Sequence, residues 1–422
     1  MRVTHLDIEG CQIFLNLSDS MLGLMLQRCG MSLTRLDLPH IHKLSGDTLH
    51  VIASLCRNLE HLSAHSVRVT ISAVNQLTMK CRQLKTLILR EPISIRDRDI
   101  QILFDKLNLE TFALKQRNIE GLCLSHLPPT LKHLDLTSCN DLIMPSLLSG
   151  LSRTPNLRTL ELINCVSLTK TDFESICMKV PQLEELSVSE YFPNLSTYAL
   201  DSIQNLKNLR KLNMRLNDFV DDRLVTLIST SCMKLEVLDI SGCNGTMSSN
   251  GVTDSGIRAV ALNSNVTNLS MSYLSGVTDV SLFHLAESGK IKWLYCQGCP
   301  EITDTGCSSG SRNVTSKTTN TAIEVVESFR SDAKKMHLIV GGTLVKPSEV
   351  HETSKGLKID LSDNCIDRLR PDFSHDALYA SSEDGDDYEA LDLDSDNDDY
   401  DPYPYEFDSE LEISDSELQF WE

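Results

Sequence analysis

Several things are missing from this sequence. No stretch of its 422 residues approaches the roughly 18–20 consecutive apolar residues of a membrane-spanning helix, which excludes a helical anchor within it. Its opening, MRVTHLDIEG, carries no apolar h-region of a secretory signal. There is no phosphate-cradling glycine loop, no HExxH pair and no nucleophile elbow. No catalytic, cofactor-binding or metal-binding residue is therefore expected, and the chain is expected not to be an enzyme. Trp occurs only twice. Bases are absent from Pro371 to Glu422, a stretch that holds twenty Asp or Glu.

That last absence decides how the net charge of -20 is read. Once the twenty terminal acids are set aside, residues 1–370 hold thirty-nine acids against thirty-nine bases. The body is neutral and the acidity belongs to the tail. A neutral body with an acidic tail argues against nonspecific binding to nucleic acid or to an anionic membrane surface. A cytoplasmic or nuclear location is expected.

What the chain does have is a repeat. Leucine, two variable residues, leucine, one variable residue, an aliphatic, two variable residues and often cysteine recur every 26 residues or so. The phrase reads LKHLDLTSC at Leu131–Cys139, LRTLELINC at Leu157–Cys165 and LEVLDISGC at Leu235–Cys243. Twelve starts fall at Val3, Leu33, Leu59, Leu84, Leu109, Leu131, Leu157, Leu183, Leu209, Leu235, Val266 and Ile291. Such a period is the signature of a leucine-rich-repeat solenoid.

The alternating part of each phrase predicts a short strand, and the segment after it has helical spacing. Gly46–Cys56, Thr171–Val180 and Asp221–Cys232 are the clearest helices, and Thr171 with Glu174 has capping-box spacing. Strands joined by crossover helices must run parallel. They sit about 4.8 Å apart where helices need about 8–10 Å, so the stack must curve. The expected fold is α/β: a right-handed horseshoe with parallel strands on the concave face, helices on the convex face and a disordered acidic C-terminal tail.

The expected boundaries are a solenoid of about twelve repeats at 1–306, a polar linker at 307–320, an atypical terminal repeat or cap at 321–370 and the disordered tail at 371–422. Within the solenoid, HLPPT at His126–Thr130 replaces most of one helix with an extended turn. NGTMSSNG at Asn244–Gly251 is a polar insertion of about five residues next to a strand end.

Fourteen cysteines are explained largely by phase. Cys11, Cys139, Cys165, Cys243 and Cys299 all follow a strand. Cys56, Cys81 and Cys232 all lie three residues before a repeat's first leucine. Small apolar thiols at such turns are core residues and are expected to be free. Cys296 and Cys299 form a CxxC, but core packing explains them better than metal or redox chemistry. His61 and His65 share a strand face about 13 Å apart, too far to hold one metal ion.

Partner binding should fall to the variable residues on the concave face. The candidates are Arg35, His61, His65, Arg90, Lys115, His133, Lys211, Arg215, Trp293 and Tyr295. Bases gather on the early strands, acids follow, and two large aromatics stand at positions expected to face solvent, a favourable place for a hot spot.

Two stretches, LDISGCNG…VTDSGI at Leu238–Ile257 and LYCQGCPEITDTG at Leu294–Gly306, carry a family resemblance. Residues 1–306 resemble the cysteine-containing repeats of F-box/leucine-rich-repeat proteins. The resemblance implies a repeat face that binds a protein substrate, and an N-terminal F-box that binds the adaptor of a cullin–RING ubiquitin ligase. Here the first repeat begins at Val3, so the F-box is expected either upstream of this sequence or not at all. The architecture alone also looks like the acidic leucine-rich nuclear phosphoproteins, which act as histone chaperones or phosphatase regulators. Neither reading calls for a cofactor, nucleic acid or a membrane.

Overall fold

A strand begins two residues after each of the twelve repeat starts in the computed structural model of the chain. The strands are β1 His5–Asp7, β2 Arg35–Leu38, β3 His61–His65, β4 Thr86–Arg90, β5 Thr111–Lys115 and β6 His133–Asp135. They continue with β7 Thr159–Glu161, β8 Glu185–Ser187, β9 Lys211–Asn213, β10 Val237–Asp239, β11 Asn268–Ser270 and β12 Trp293–Tyr295. Two more, β13 Met336–Ile339 and β14 Leu357–Asp360, extend the sheet within residues 321–370. The structure describes residues 3–8, 17–38, 44, 47–190, 192, 195, 197–245, 251–303, 336–339 and 357–360. The expected linker, most of the expected cap at 321–370 and the acidic tail lie outside these.

The fourteen strands form one parallel sheet in simple sequence order. Register follows the repeat: Leu36, Leu62 and Leu87 are paired partners, as are Leu160, Leu186 and Leu212. These central leucines are fully buried, as are the first aliphatics of the repeats from Leu33 to Ile291. Each such leucine contributes on the order of 1.5–3 kcal/mol by leaving water. The core is a single continuous column, because every repeat buries its apolar side only against the next.

Among the described residues nine α-helices cover the other side: α1 Asp19–Cys29, α2 Thr48–Leu55, α3 Ile71–Lys80, α4 Asp97–Lys106, α5 Met144–Leu151, α6 Lys170–Lys179, α7 Asp222–Ser231, α8 Asp254–Asn263 and α9 Asp279–Ser288. Strands inside and helices outside make this an α/β leucine-rich-repeat solenoid. The capping box of α6 is not Thr171 with Glu174 but Thr169 with Asp172, whose carboxylate accepts the Thr169 N–H at 3.1 Å. Both pairs have the right spacing. Leu168 is fully buried and Thr169 is still extended, so the helix starts two residues earlier than the sequence suggested.

Two repeats depart from this pattern. The diproline stretch is preceded by a 3-10 turn at Leu122–His126 instead of an α-helix. It packs so closely on α5 that a Cβ at Gly150 would run into the Leu124 carbonyl oxygen. A longer 3-10 segment, Thr197–Asn205, replaces the helix after β8, a change the sequence reading did not anticipate. Of the insertion at Asn244–Gly251, residues 246–250 lie outside the described residues. Asn244 itself is pinned to the next repeat, accepting the Ser275 N–H at 2.8 Å and donating to the Tyr273 carbonyl at 2.8 Å.

Candidate partner-binding face

Strand pairing sorts the concave face into columns. Asp37, Ser63, Ile88, Ala113, Asp135, Glu161, Ser187, Asn213, Asp239, Ser270 and Tyr295 are register partners in the middle column. An outer column runs Arg35, His61, Thr86, Thr111, His133, Thr159, Glu185, Lys211, Val237, Asn268 and Trp293. Strands only 4.8 Å apart crowd the middle column, so its side chains are buried although they point away from the core.

Most of the predicted bases are engaged by acids of the same or a neighbouring repeat. Arg35 grips the Asp37 carboxylate at 2.7 and 3.2 Å, and His61 Nε2 reaches it at 3.0 Å. Burial would raise the Asp37 carboxyl, but the hydrogen bonds from His61 and Arg35 outweigh it and hold it below its ordinary value. Lys211 Nζ lies 3.1 Å from Glu185 on the adjacent strand. Lys115 and His65 approach Glu91 at 3.4 and 3.5 Å. His133 Nδ1 shares a hydrogen bond with the Thr159 hydroxyl at 2.9 Å.

Three of the predicted contact residues are buried. Arg90 is 7% exposed and Arg215 4%, with Arg215 Nη2 donating to Glu190 Oε1 at 3.1 Å. Tyr295, expected to face solvent, is 3% exposed because β13 continues the sheet and sets Ile339 in register beside it. Trp293 is half-buried, its ring stacked on Tyr295 with centroids 6.4 Å apart. Sequence reasoning missed Glu91 and Glu190. Glu91 directly follows β4 and Glu190 lies three residues past the end of β8 (LILRE, SVSE), both in left-handed backbone with φ 48° and 67°.

A second charged row follows the residue after each repeat's first leucine. Lys85 bonds Glu60 at 2.9 Å, Lys132 bonds Glu110 at 2.6 Å, and Arg210 bonds Glu236 at 2.6 Å. Arg158 lies 3.3 Å from Glu184. These exposed, alternating pairs join neighbouring repeats at one rim of the sheet.

Among the described residues the phase cysteines form a thiol ladder. Each Sγ donates to a carbonyl at the end of the previous repeat's strand: Cys139 to Leu114 at 3.4 Å, Cys165 to Leu136 at 3.0 Å, Cys243 to Met214 at 3.2 Å and Cys299 to Met271 at 3.2 Å. In the other phase, Cys81 donates to the Cys56 carbonyl at 3.2 Å. Burial pushes the Cys139 thiol up to about 12 and the Cys299 thiol up to about 11. Cys296 is buried too and donates to the Ile339 carbonyl at 3.5 Å, so the CxxC belongs to the core. Among the described residues no group of His, Cys, Asp and Glu could hold a metal ion. No helix among them is long and apolar enough to cross a membrane.

Fold and face together define a leucine-rich-repeat scaffold for protein interaction. No family model matches the chain. It is similar to EEED8.10 of Caenorhabditis elegans, which bears the name of an RNA-binding protein, with 23% identity over 362 residues. That likeness covers 82% of this chain and 49% of the relative. It is also similar to F-box/LRR-repeat protein 4 of Bos taurus, 27% identical over 217 residues, covering 50% of this chain and 31% of the relative. The chain thus spans about half the length of one curated relative and about a third of the other. Among solved structures, Rad7 in the yeast Rad7–Elc1 complex aligns with a TM-score of 0.48 and 16% identity, covering 81% of this chain and 83% of Rad7.

Proposed function

We propose that this scaffold is the substrate-recognition part of a cullin–RING ubiquitin ligase, itself without catalytic activity, and that it selects a protein for ubiquitin-dependent degradation. The observation that carries the reading is the likeness to bovine F-box/LRR-repeat protein 4, which extends over half of this chain. The thiol ladder supports the cysteine-containing repeat subtype, since it gives Cys139, Cys165, Cys243 and Cys299 one shared physical role. The concave sheet receives the substrate, and an F-box in the whole protein engages the adaptor. Cytoplasm or nucleus is the proposed location, in keeping with described cysteines that are all free thiols.

The test is affinity purification of the natural gene product from cells in which the proteasome is inhibited. Cullin and adaptor in near-equal amounts support the reading. Histones or a phosphatase in their place, with no cullin, would move the protein to the class of acidic nuclear regulators.

A further inference from the structure

The concave sheet is not equally wide along its length. β3, β4 and β5 run five residues each, whereas β6 to β12 run three. The extra length adds a third column, in which His65 pairs with Arg90 and Arg90 with Lys115. Three basic residues therefore lie side by side at strand spacing. Directly after β4 the chain turns left-handed at Glu91, φ 48°, a conformation that disfavours a non-glycine residue.

Held there, the Glu91 carboxylate sits 3.4 Å from Lys115 Nζ and 3.5 Å from His65 Nε2. A well-made charge-assisted hydrogen bond is about 2.7–2.9 Å long, so both contacts are loose. The Glu91 side chain is also 54% exposed. Arg90 is buried in the same column, between His65 and Lys115. The middle column of these strands is Ser63, Ile88 and Ala113, where the strands on either side carry Asp37 and Asp135. The widened patch is thus the one stretch between Asp37 and Asp135 with no acid in its middle column and a row of bases beside it.

We propose that the patch on β3–β5 is an anion-binding subsite that takes a carboxylate side chain from an extended acidic segment of the protein partner. In the free protein Glu91 stands in for that carboxylate and is displaced by it. The proposal rests on the reading of the concave sheet as the partner-binding face. Lys115 and His65 hold the incoming group, and Arg90 strengthens the field around it. Glu91 is itself charged at neutral pH. Burial would raise its carboxyl, but Lys115 and His65 outweigh that and hold it below its ordinary value.

The experiment uses the full chain and a labelled short peptide alternating glutamate with threonine, read by fluorescence anisotropy at an ionic strength where the Debye length is about 30 Å. Glu91→Gln should tighten binding by about threefold or more, because it removes the resident competitor, and Lys115→Gln should weaken it by about tenfold. A merely structural Glu91 would not raise affinity when replaced. The same peptide with glutamine at each glutamate should fail to bind. Binding only by a phosphoserine version would overturn the carboxylate assignment. So would a Glu91→Gln protein of unchanged melting temperature whose affinity is equal or lower. Trp293→Ala separates the two levels of failure. If it abolishes peptide binding while Lys115→Gln does not, the face stands and the subsite falls. Indifference to both variants removes face and subsite together.

Discussion

Asp222, the first residue of α7, accepts the backbone N–H of Thr253 at 2.8 Å and the Thr253 hydroxyl at 2.6 Å. Thr253 is the N-cap of the next helix, α8. The same carboxylate takes the Gly256 N–H at 2.9 Å. One repeat on, Asp254 holds Thr278 in the same way at 2.9 and 2.7 Å, and Asp279 holds Thr303 at 2.9 and 2.8 Å. The free N–H groups at a helix start are thus satisfied by the preceding repeat as well as by the local cap. In earlier repeats Asp97 accepts the Cys123 N–H at 2.9 Å, and Asp19 accepts the Thr48 hydroxyl.

Asp222→Ala should therefore lower stability by about 2–4 kcal/mol, since it strips a charged acceptor from three donors. Gly256→Ala should be damaging as well, because a Cβ there lies 2.5 Å from Asp222 Oδ1. Urea unfolding followed by circular dichroism checks both. A midpoint unchanged in either variant contradicts the clamp.

The thiols offer a chemical test. Burial pushes Cys56, Cys139 and Cys177 up to about 12 and Cys81, Cys232 and Cys299 up to about 11. The reactive thiolate is scarce for all of them at neutral pH. Among the described cysteines, Cys29 is the only one not fully buried and should be alkylated first by iodoacetamide. The rest should label only on unfolding, as read by peptide mass spectrometry. Rapid native labelling of Cys165 or Cys243 would show that the ladder opens.

Asp37 sets a pH dependence. Its carboxyl is held below its ordinary value in the folded state, so the stabilisation it adds is complete above the unfolded value of 3.8. That contribution fades as pH falls through the depressed folded value. The gap in melting temperature between the wild-type chain and Asp37→Asn should be constant near neutral pH and close on acidification below about pH 4. A gap that widens with acid would contradict the assignment.

The rim of alternating charge should respond to inversion. Glu110→Lys sets a third base beside Lys85 and Lys132, both of which lower the Glu110 carboxyl in the native chain. The melting temperature should fall modestly at low salt, and the loss should shrink as salt screens the exposed charges. A loss independent of salt would mean that the rim is held by packing.

Strand positions were legible because the repeat itself encodes them: a buried first aliphatic fixes register, and a one-residue slip would turn Leu36 or Leu212 outward. The helix starts were less legible, since Thr169–Asp172 and Thr171–Glu174 fit the same motif and only the burial of Leu168 chooses between them. The 3-10 segment at Thr197–Asn205 left no mark comparable to the paired prolines at Pro128 and Pro129. On the concave face the repeat phase sets Arg35, His61, Lys211 and Trp293 at one strand position, but it says nothing of their environment. Burial of Arg215 and Tyr295, and the pairing of Lys211 with Glu185, depend on the neighbouring strand, which a single repeat's phrase does not contain.

The measurement that bears most directly on the central claim is quantitative mass spectrometry of proteins co-purifying with the natural gene product under proteasome inhibition. The account predicts a cullin and its adaptor in near-equal amounts, together with a protein whose recovery falls when Lys115 and Trp293 are both replaced. Recovery of neither cullin nor adaptor, with a partner set indifferent to those two replacements, would contradict it.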